Sequence, residues 1–335
     1  MKQIQIQQTD VHLYNFAFQN SFEVIQGGLL LGNFRSLYKQ YGYLFSDFFE
    51  DANVSGDGYF LYVPPNVQSK IPIHIKCYFE TPANMRNFVI LEAGSSVQLL
   101  VSYYSKKEWT KGEIKSTTRV TLCKSATLDM TCFQNVAQMT SNTQVFQAAN
   151  SRMNTHFVSI YSQRASNNFK ATLDGINAEH ALHGLSFTQQ SEHVENNILI
   201  VHKSPECKSS QLFKHILSDM STGVYHGRVL VSKDAQKTIA HQKSSNILLN
   251  AKTKMNIRPH LEIYADDVKC SHGATTGQLD SEAVFYLRSR GMSERLAKGL
   301  LLDAFASEVL DSISCRIFKL KMIEKMSIEK IINSK

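Results

Sequence analysis

The chain has 335 residues, 43% hydrophobic and 19% charged, with 16 glycines and 6 prolines; a large core can be buried, and collagen-like or low-complexity structure is excluded. The net charge of +7 comes from 36 Lys and Arg against 29 Asp and Glu, scattered along the chain apart from a Lys-rich tail after Phe318, and no nucleic-acid motif accompanies it. Six well-separated cysteines without a C-x-x-C pair, a polar opening (MKQIQIQQTD) and no apolar run of about 18 residues point to a cytoplasmic protein with free thiols, no leader and no membrane span.

Residues 1–20 carry no clear pattern. The stretch GGLLLGNFRSLYKQYGYLFSDFFE (27–50) has a weak helical period around Leu37, Tyr41, Leu44 and Phe48. From there to about residue 268 helical signals fade. Short runs rich in β-branched and aromatic residues follow one another: GYFLYV (58–63), NFVILEA (87–93), SVQLLVSYY (96–104), THFVSIYS (155–162), NILIVH (197–202), GRVLVS (227–232), NILLN (246–250) and HLEIYA (260–265). These read as strands of about five or six residues separated by polar turns. Such a series allows a sandwich, a barrel or a β-helix. Gly-containing two-residue hairpin turns are nearly absent, which favours the β-helix, where each coil buries its inward side chains on the coils above and below.

Near residue 280 the period changes. DSEAVFYLRSRG (280–291) reads as a helix with Asp280 or Ser281 as N-cap, Glu282 in the first turn and Gly291 closing it. Ser293 then caps a second helix whose apolar stripe runs Ala297, Leu301, Phe305, Val309 and Ile313, flanked by Leu300 and Ala304. IFKLKMIEKMSIEKIINSK (317–335) continues with mixed Lys and Glu. The expected organisation is an N-terminal segment (1–54), a β-helix core (55–279) and a C-terminal helical module (280–335).

Two linked segments, DVKCSHGAT and FYLRSRG within residues 260–310, together with GRVLVSKDAQKTIAHQKSSNILLN (227–250), closely resemble the C-terminal signature of the SufB/SufD family of the SUF iron–sulfur cluster assembly system. The resemblance is strong from 225 to 310 and diffuse back to about residue 55. The SufB branch typically reads Cys-Glu-His where this chain reads Cys270-Ser271-His272, so the SufD branch is the better match. The resemblance implies a mainly β fold with a right-handed parallel β-helix (solenoid) core and a C-terminal α-helical module. It implies a scaffold subunit, not an enzyme, that pairs with a SufB-type subunit, with a homodimer allowed in isolation. SufC-type ABC ATPases would dock on the C-terminal helices, and a transient Fe–S cluster would be built at the shared interface. Family members usually carry a helical domain before the β-helix, against which this chain reads as shortened.

Cys270 and His272 are two apart, so a strand would place both on one face, about 7 Å apart. Thiolate and imidazole both suit iron. A cluster needs about four ligands, and no second Cys or His group completes the set, so either a partner supplies the rest or there is no cluster site here. The family's functional histidine falls on His272, with Cys270 second. Expected docking residues are Phe285, Tyr286, Arg288, Arg290 and Phe305; Arg288 and Arg290 read equally well as partners of Asp303.

Blander readings fit the remaining residues. Cys77, Cys123, Cys132, Cys207 and Cys315 read as core. His180, His183 and His193 allow a metal site but read better as turn and coil-edge polar residues. Asp266 and Asp267 read as acceptors for backbone amides at a turn rather than as catalytic carboxylates. No G-x-x-x-x-G-K-[ST], G-x-S-x-G or H-E-x-x-H occurs, so neither ATP binding by a P-loop nor independent turnover is expected. The alternatives are a SufB-like paralogue and a carbohydrate-active β-helix enzyme, but the latter needs paired carboxylates or calcium ligands on an exposed strand face, and the strand segments are poor in Asp and Glu. Neither nucleic acid nor membrane is an expected partner.

Overall fold

The computed structural model describes residues 9–14, 17–18, 22–25, 28–41, 58–105 and 112–326. The first elements are β1 (Thr9–Tyr14), β2 (Ala17–Phe18), β3 (Phe22–Ile25), β4 (Leu29–Asn33), α1 (Phe34–Tyr41), β5 (Tyr59–Val63), β6 (Ile73–Phe79) and β7 (Ala83–Leu91). The central strands are β8 (Ser96–Ser105), β9 (Ile114–Leu122), β10 (Thr127–Asn135), β11 (Gln138–Gln147), β12 (Arg152–Ile160), β13 (Arg164–Leu173) and β14 (Glu179–Thr188). The last are β15 (His193–His202), β16 (Lys208–Leu217), β17 (Thr222–Val231), β18 (Thr238–Leu248), β19 (Lys254–Ile263) and β20 (Val268–Gly277). Three helices close the described chain: α2 (Ser281–Ser289), α3 (Glu294–Leu310) and α4 (Arg316–Met326).

From β5 onward the chain alternates between two ten-stranded sheets. Even strands stack as β6-β8-β10-β12-β14-β16-β18-β20 and odd strands as β5-β7-β9-β11-β13-β15-β17-β19, each pair parallel. The fold is therefore a parallel β-solenoid, two strands to a coil, as expected. Strands from residues 9–33 extend both sheets: β1 pairs with β6 in parallel, and β4 lies antiparallel between β3 and β5.

The helical reading of 27–50 is corrected at its start. Leu29–Asn33 is β4, because its apolar residues pair with β5 (Leu30 opposite Tyr62). Helix α1 follows, with Phe34 stacked on Phe88 at 4.4 Å and Leu37 buried. Leu44 and Phe48 lie outside the described residues.

Most central strands are longer than expected. β13 (RASNNFKATL) and β15 (HVENNILIVH) each run ten residues, although only their second halves look like strands in the sequence. The polar halves hold because their inward side chains bond to one another across coils. Ser159 Oγ donates to Gln134 Oε1 at 2.6 Å, Gln134 Nε2 to Asn167 Oδ1 at 2.7 Å, and Asn167 Nδ2 to Asn196 Oδ1 at 3.0 Å. Asn196 Nδ2 then meets His215 Nε2 at 3.1 Å, His215 Nδ1 meets Asn246 Oδ1 at 2.8 Å, and Asn246 Nδ2 reaches the Thr275 carbonyl on β20 at 2.8 Å. Buried polar groups partnered in this way avoid the desolvation cost of an orphan. Around this polar line sits an apolar core including Leu61, Val101, Leu128, Phe157, Leu182 and Phe213. Gly184 is needed there: a Cβ at that position would lie 2.2 Å from the Phe213 ring of the next coil.

One corner explains the missing glycine turns. Asn66, Ser125, Asn150, Asn177, Glu206 and Lys237 have φ between +57° and +63°, and Gly94 has φ +67°. All but Lys237, which donates to the Asp267 carbonyl in the last coil, donate their N–H to the carbonyl just before the corresponding corner residue of the next coil: Ser125 to Ala149, Asn150 to Ile176, and Asn177 to Pro205 among them. A left-handed non-glycine residue costs about 1–3 kcal/mol, and the stacked amide ladder holds it in place.

Helices α3 and α4 lie back along the outer face of the even sheet. Leu100, Phe133, Val158, Leu185 and Ile216 of the sheet meet Leu302, Ala306, Val309, Leu310 and Phe318. The buried stripe of α3 is Ala297, Leu302, Ala306, Val309 and Leu310, with Ile313 beyond the helix end. Residues strictly four apart drift around a helix of 3.6 residues per turn, so Leu301 and Phe305 fall at the margin. The caps are as expected: Asp280 accepts from the Glu282 and Ala283 amides, and Ser293 from that of Leu296.

Candidate functional site

The solenoid ends in an open coil. β19 and β20 are the terminal strands of their sheets, and β20 is exposed from Ser271 to Gly277. In the interior the last coil offers a small apolar floor of Val229, Val231, Ala235, Ala240 and Ala265, with Leu261, Val268 and Cys270 partly buried against it.

β20 pairs in register with β18, Cys270 opposite Ala240 and His272 opposite Gln242. Ala240 and Gln242 are both buried inward-facing residues, so Cys270 and His272 share the interior face at the mouth of the coil. Cys270 is half-buried, and burial pushes its thiol pKa up, partly offset by a hydrogen bond with the Ala240 backbone. His272 is exposed. Below it Gln242 is 3% exposed, yet among the described residues neither Nε2 nor Oε1 has a hydrogen-bond partner. A buried amide with both ends unmatched is costly and calls for an explanation. Gln242 is the residue that sequence reading missed. Its polarity is unremarkable in AHQKSSN, and its significance depends on register with β20. The far half of β20 is pinned by Asn246 at Thr275. On its outer face Ser271 Oγ meets His241 Nδ1 at 2.8 Å.

The chemistry of this mouth is one thiol, one imidazole and one free amide. Among the described residues no group of three or more His, Cys, Asp or Glu gathers as a metal site. Thiolate and imidazole are competent ligands for iron, but two of them leave a coordination shell half filled.

The other histidines separate. His180 points into the interior, with Nδ1 2.6 Å from Gln147 Oε1. His183 faces outward, stacked on His156 at 5.0 Å. His193 begins the opposite sheet, with Nδ1 2.7 Å from Thr222 Oγ1. Among the described residues they join no group of metal ligands, and they lie in strands rather than turns. Cys77, Cys132, Cys207 and Cys315 are buried and Cys123 half-buried, all free. At the β19–β20 turn the backbone does the bonding. The Asp267 carbonyl accepts from Lys237, and its N–H donates to Gln236 Oε1 at 3.0 Å. The Asp266 and Asp267 carboxylates accept no backbone amide among the described residues, which corrects the expectation for them.

The α2–α3 corner presents a second surface. Phe285 is 72% and Tyr286 57% exposed. Arg290 stacks over the Tyr286 ring at 5.3 Å, and Arg288 pairs with Glu294 at 3.5 Å rather than with Asp303. Phe305 turns toward the solenoid, where the buried Lys214 ammonium sits 4.3 Å from its ring centroid and donates to its carbonyl. It is thus held by the body, unlike Phe285 and Tyr286. No helix among the described residues is long and apolar enough to cross a membrane.

Comparison with known proteins adds a family. The domain described as "SUF system FeS cluster assembly, SufBD core domain" matches residues 79–305. An iron–sulfur cluster assembly SufBD family protein of Synechocystis is 31% identical over 298 residues, covering 80% of this chain and 63% of that protein. The iron–sulfur cluster assembly protein SufD of Escherichia coli is 37% identical over 146 residues, covering 44% and 34%. The chloroplastic protein ABCI7 of Arabidopsis thaliana is 29% identical over 313 residues, covering 85% and 62%. The matches span less than two thirds of the length of these relatives.

Proposed function

Because this chain belongs to the SufBD family of the SUF iron–sulfur cluster assembly system, we propose that it is a non-catalytic, cytoplasmic scaffold subunit of the SufD type. Its partner is a SufB-type subunit, met at the open coil. The Fe–S cluster is cargo. Cys270 and His272 contribute ligands from this side, and the partner completes the set. Imidazole suits release, because protonation removes it from iron more readily than a thiolate is removed. ATP is hydrolysed by a separate SufC-type ABC ATPase docked on the α2–α3 corner through Phe285, Tyr286, Arg288 and Arg290, with Phe305 bracing α3 on the body.

The observation that carries this reading is the end strand β20. It has an open edge, Cys270 and His272 on its interior face, and the unmatched amide of Gln242 beneath. An unpaired strand edge is a template for another chain. The test is anaerobic reconstitution of the co-expressed complex, comparing wild type with His272→Ala and Cys270→Ala. Loss of iron, sulfide and the cluster's visible absorbance in His272→Ala, with the complex intact, is the expected result. Unchanged cluster content in both variants would sink the ligand assignment, and a chain that stays monomeric beside both partners would sink the scaffold reading.

A further inference from the structure

The outer face of the odd sheet, outside the interior of the open coil, carries a depression of about 430 Å³ lined by Asn197, Leu199, His226, Arg228, Arg258, His260 and Glu262. Register builds it. His226 lies directly opposite Arg258, and Arg228 opposite His260. Four nitrogen bases therefore occupy one square on two neighbouring strands. The two guanidiniums on its diagonal carry like charge a few ångströms apart, so this square calls for a counter-charge.

The protein supplies only part of it. Glu262 accepts from Arg228, with Nε at 2.9 Å, and from the Tyr264 hydroxyl at 2.8 Å. Those bonds, from Tyr264 first and then Arg228, hold its carboxyl below the usual range. Glu195, one row away, is engaged by Asn197 Nδ2 at 2.9 Å and faces His193 at 4.0 Å. Arg258 is exposed and has no ion pair or hydrogen bond among the described residues. His226 Nε2 is enclosed without a partner. One formal positive charge remains in excess even with both imidazoles neutral, and Leu199 with the Gly227 backbone forms an apolar floor.

We propose that this depression is a binding site for a small molecule bearing an oxyanion, a phosphate or a carboxylate, held by the Arg258 guanidinium with His226 and His260 beside it. A planar guanidinium grips such a group through two parallel hydrogen bonds. The volume falls in the range of small-molecule sites and exceeds a bare phosphate, leaving room for an organic body over Leu199. The proposal is independent of the cluster role of β20.

The test uses the full chain at low salt, titrated calorimetrically with pyrophosphate in one arm and citrate in the other. Saturable binding of pyrophosphate alone identifies a phosphate-bearing ligand, of citrate alone a polycarboxylate, and of both a general oxyanion seat. Arg258→Gln is expected to weaken binding about tenfold or more, and Arg258→Lys by less, because charge is kept and the fork is lost. Lys252→Gln, at an exposed turn, is expected to leave it unchanged. All variants are checked for an unaltered thermal midpoint. No saturable binding in either arm, or equal weakening by Arg258→Gln and Lys252→Gln, overturns the proposal.

Discussion

The middle coils and the last coil share one backbone plan but not one condition. In the middle, each inward side chain is roofed by the coil above and floored by the coil below, so Asn167, Asn196 and His215 can be polar and still fully bonded. In the last coil the roof is missing. Beneath it Gln242, on β18, is buried with no hydrogen-bond partner among the described residues, Cys270 is half-covered, and β20 is exposed from Ser271 to Gly277. A stacked repeat depends on its neighbours, and a terminal repeat has a neighbour on one side only. The difference marks where the stack of coils is closed and where it stays open.

The sharpest way to break this comparison is to cut equivalent apolar groups from both regions. Phe213→Ala, in the closed core, is expected to cost about 3–5 kcal/mol, read as a fall in the urea midpoint. Leu261→Ala, partly buried in the last coil, should cost distinctly less. Equal losses would mean that the last coil is as closed as the rest.

A second effect is acid sensitivity. Burial holds the His215 imidazole down at about 4, with His202 also about 4 and His180 about 3. The unfolded chain therefore takes up protons that the folded one refuses. The neutral imidazoles favour folding fully above the ordinary histidine value, and stability drains as pH falls from about 6.5 toward about 4. His215 alone should account for about 2 kcal/mol between pH 7 and 5. Urea midpoints at the two pH values, for wild type and His215→Gln, measure it; a variant with the same pH dependence as wild type would show that His215 contributes nothing.

The smallest effect belongs to the mouth. His272→Ala removes an exposed side chain and should leave folding stability within about 0.5 kcal/mol, measured by the same denaturation. A larger loss would place His272 in the fold's support rather than at its working edge.

The parts that were legible in the sequence are those whose signal is local. The apolar halves of strands, such as NILIVH and GRVLVS, announce themselves by composition, and the helix starts at Asp280 and Ser293 by their capping chemistry. Cys270 and His272 stand out through their two-residue spacing and the family signature around them. The polar halves RASNN and HVENN resemble turns because isolated Asn and Ser compete with strand pairing; only a bonding partner a full coil away turns them into strand.

The amino-acid sequence by itself determined the strand-rich body, the switch to helices near residue 280 and the Cys270–His272 spacing, since hydrophobic period, caps and spacing act over a few residues, while the choice of a solenoid over a sandwich or barrel came with the family signature. Only the tertiary structure decided which coil stays open, that Gln242 lies beneath His272, and that two arginines and two histidines square up on one face. Those facts follow from inter-coil register, which joins residues about thirty positions apart through contacts that no local pattern encodes.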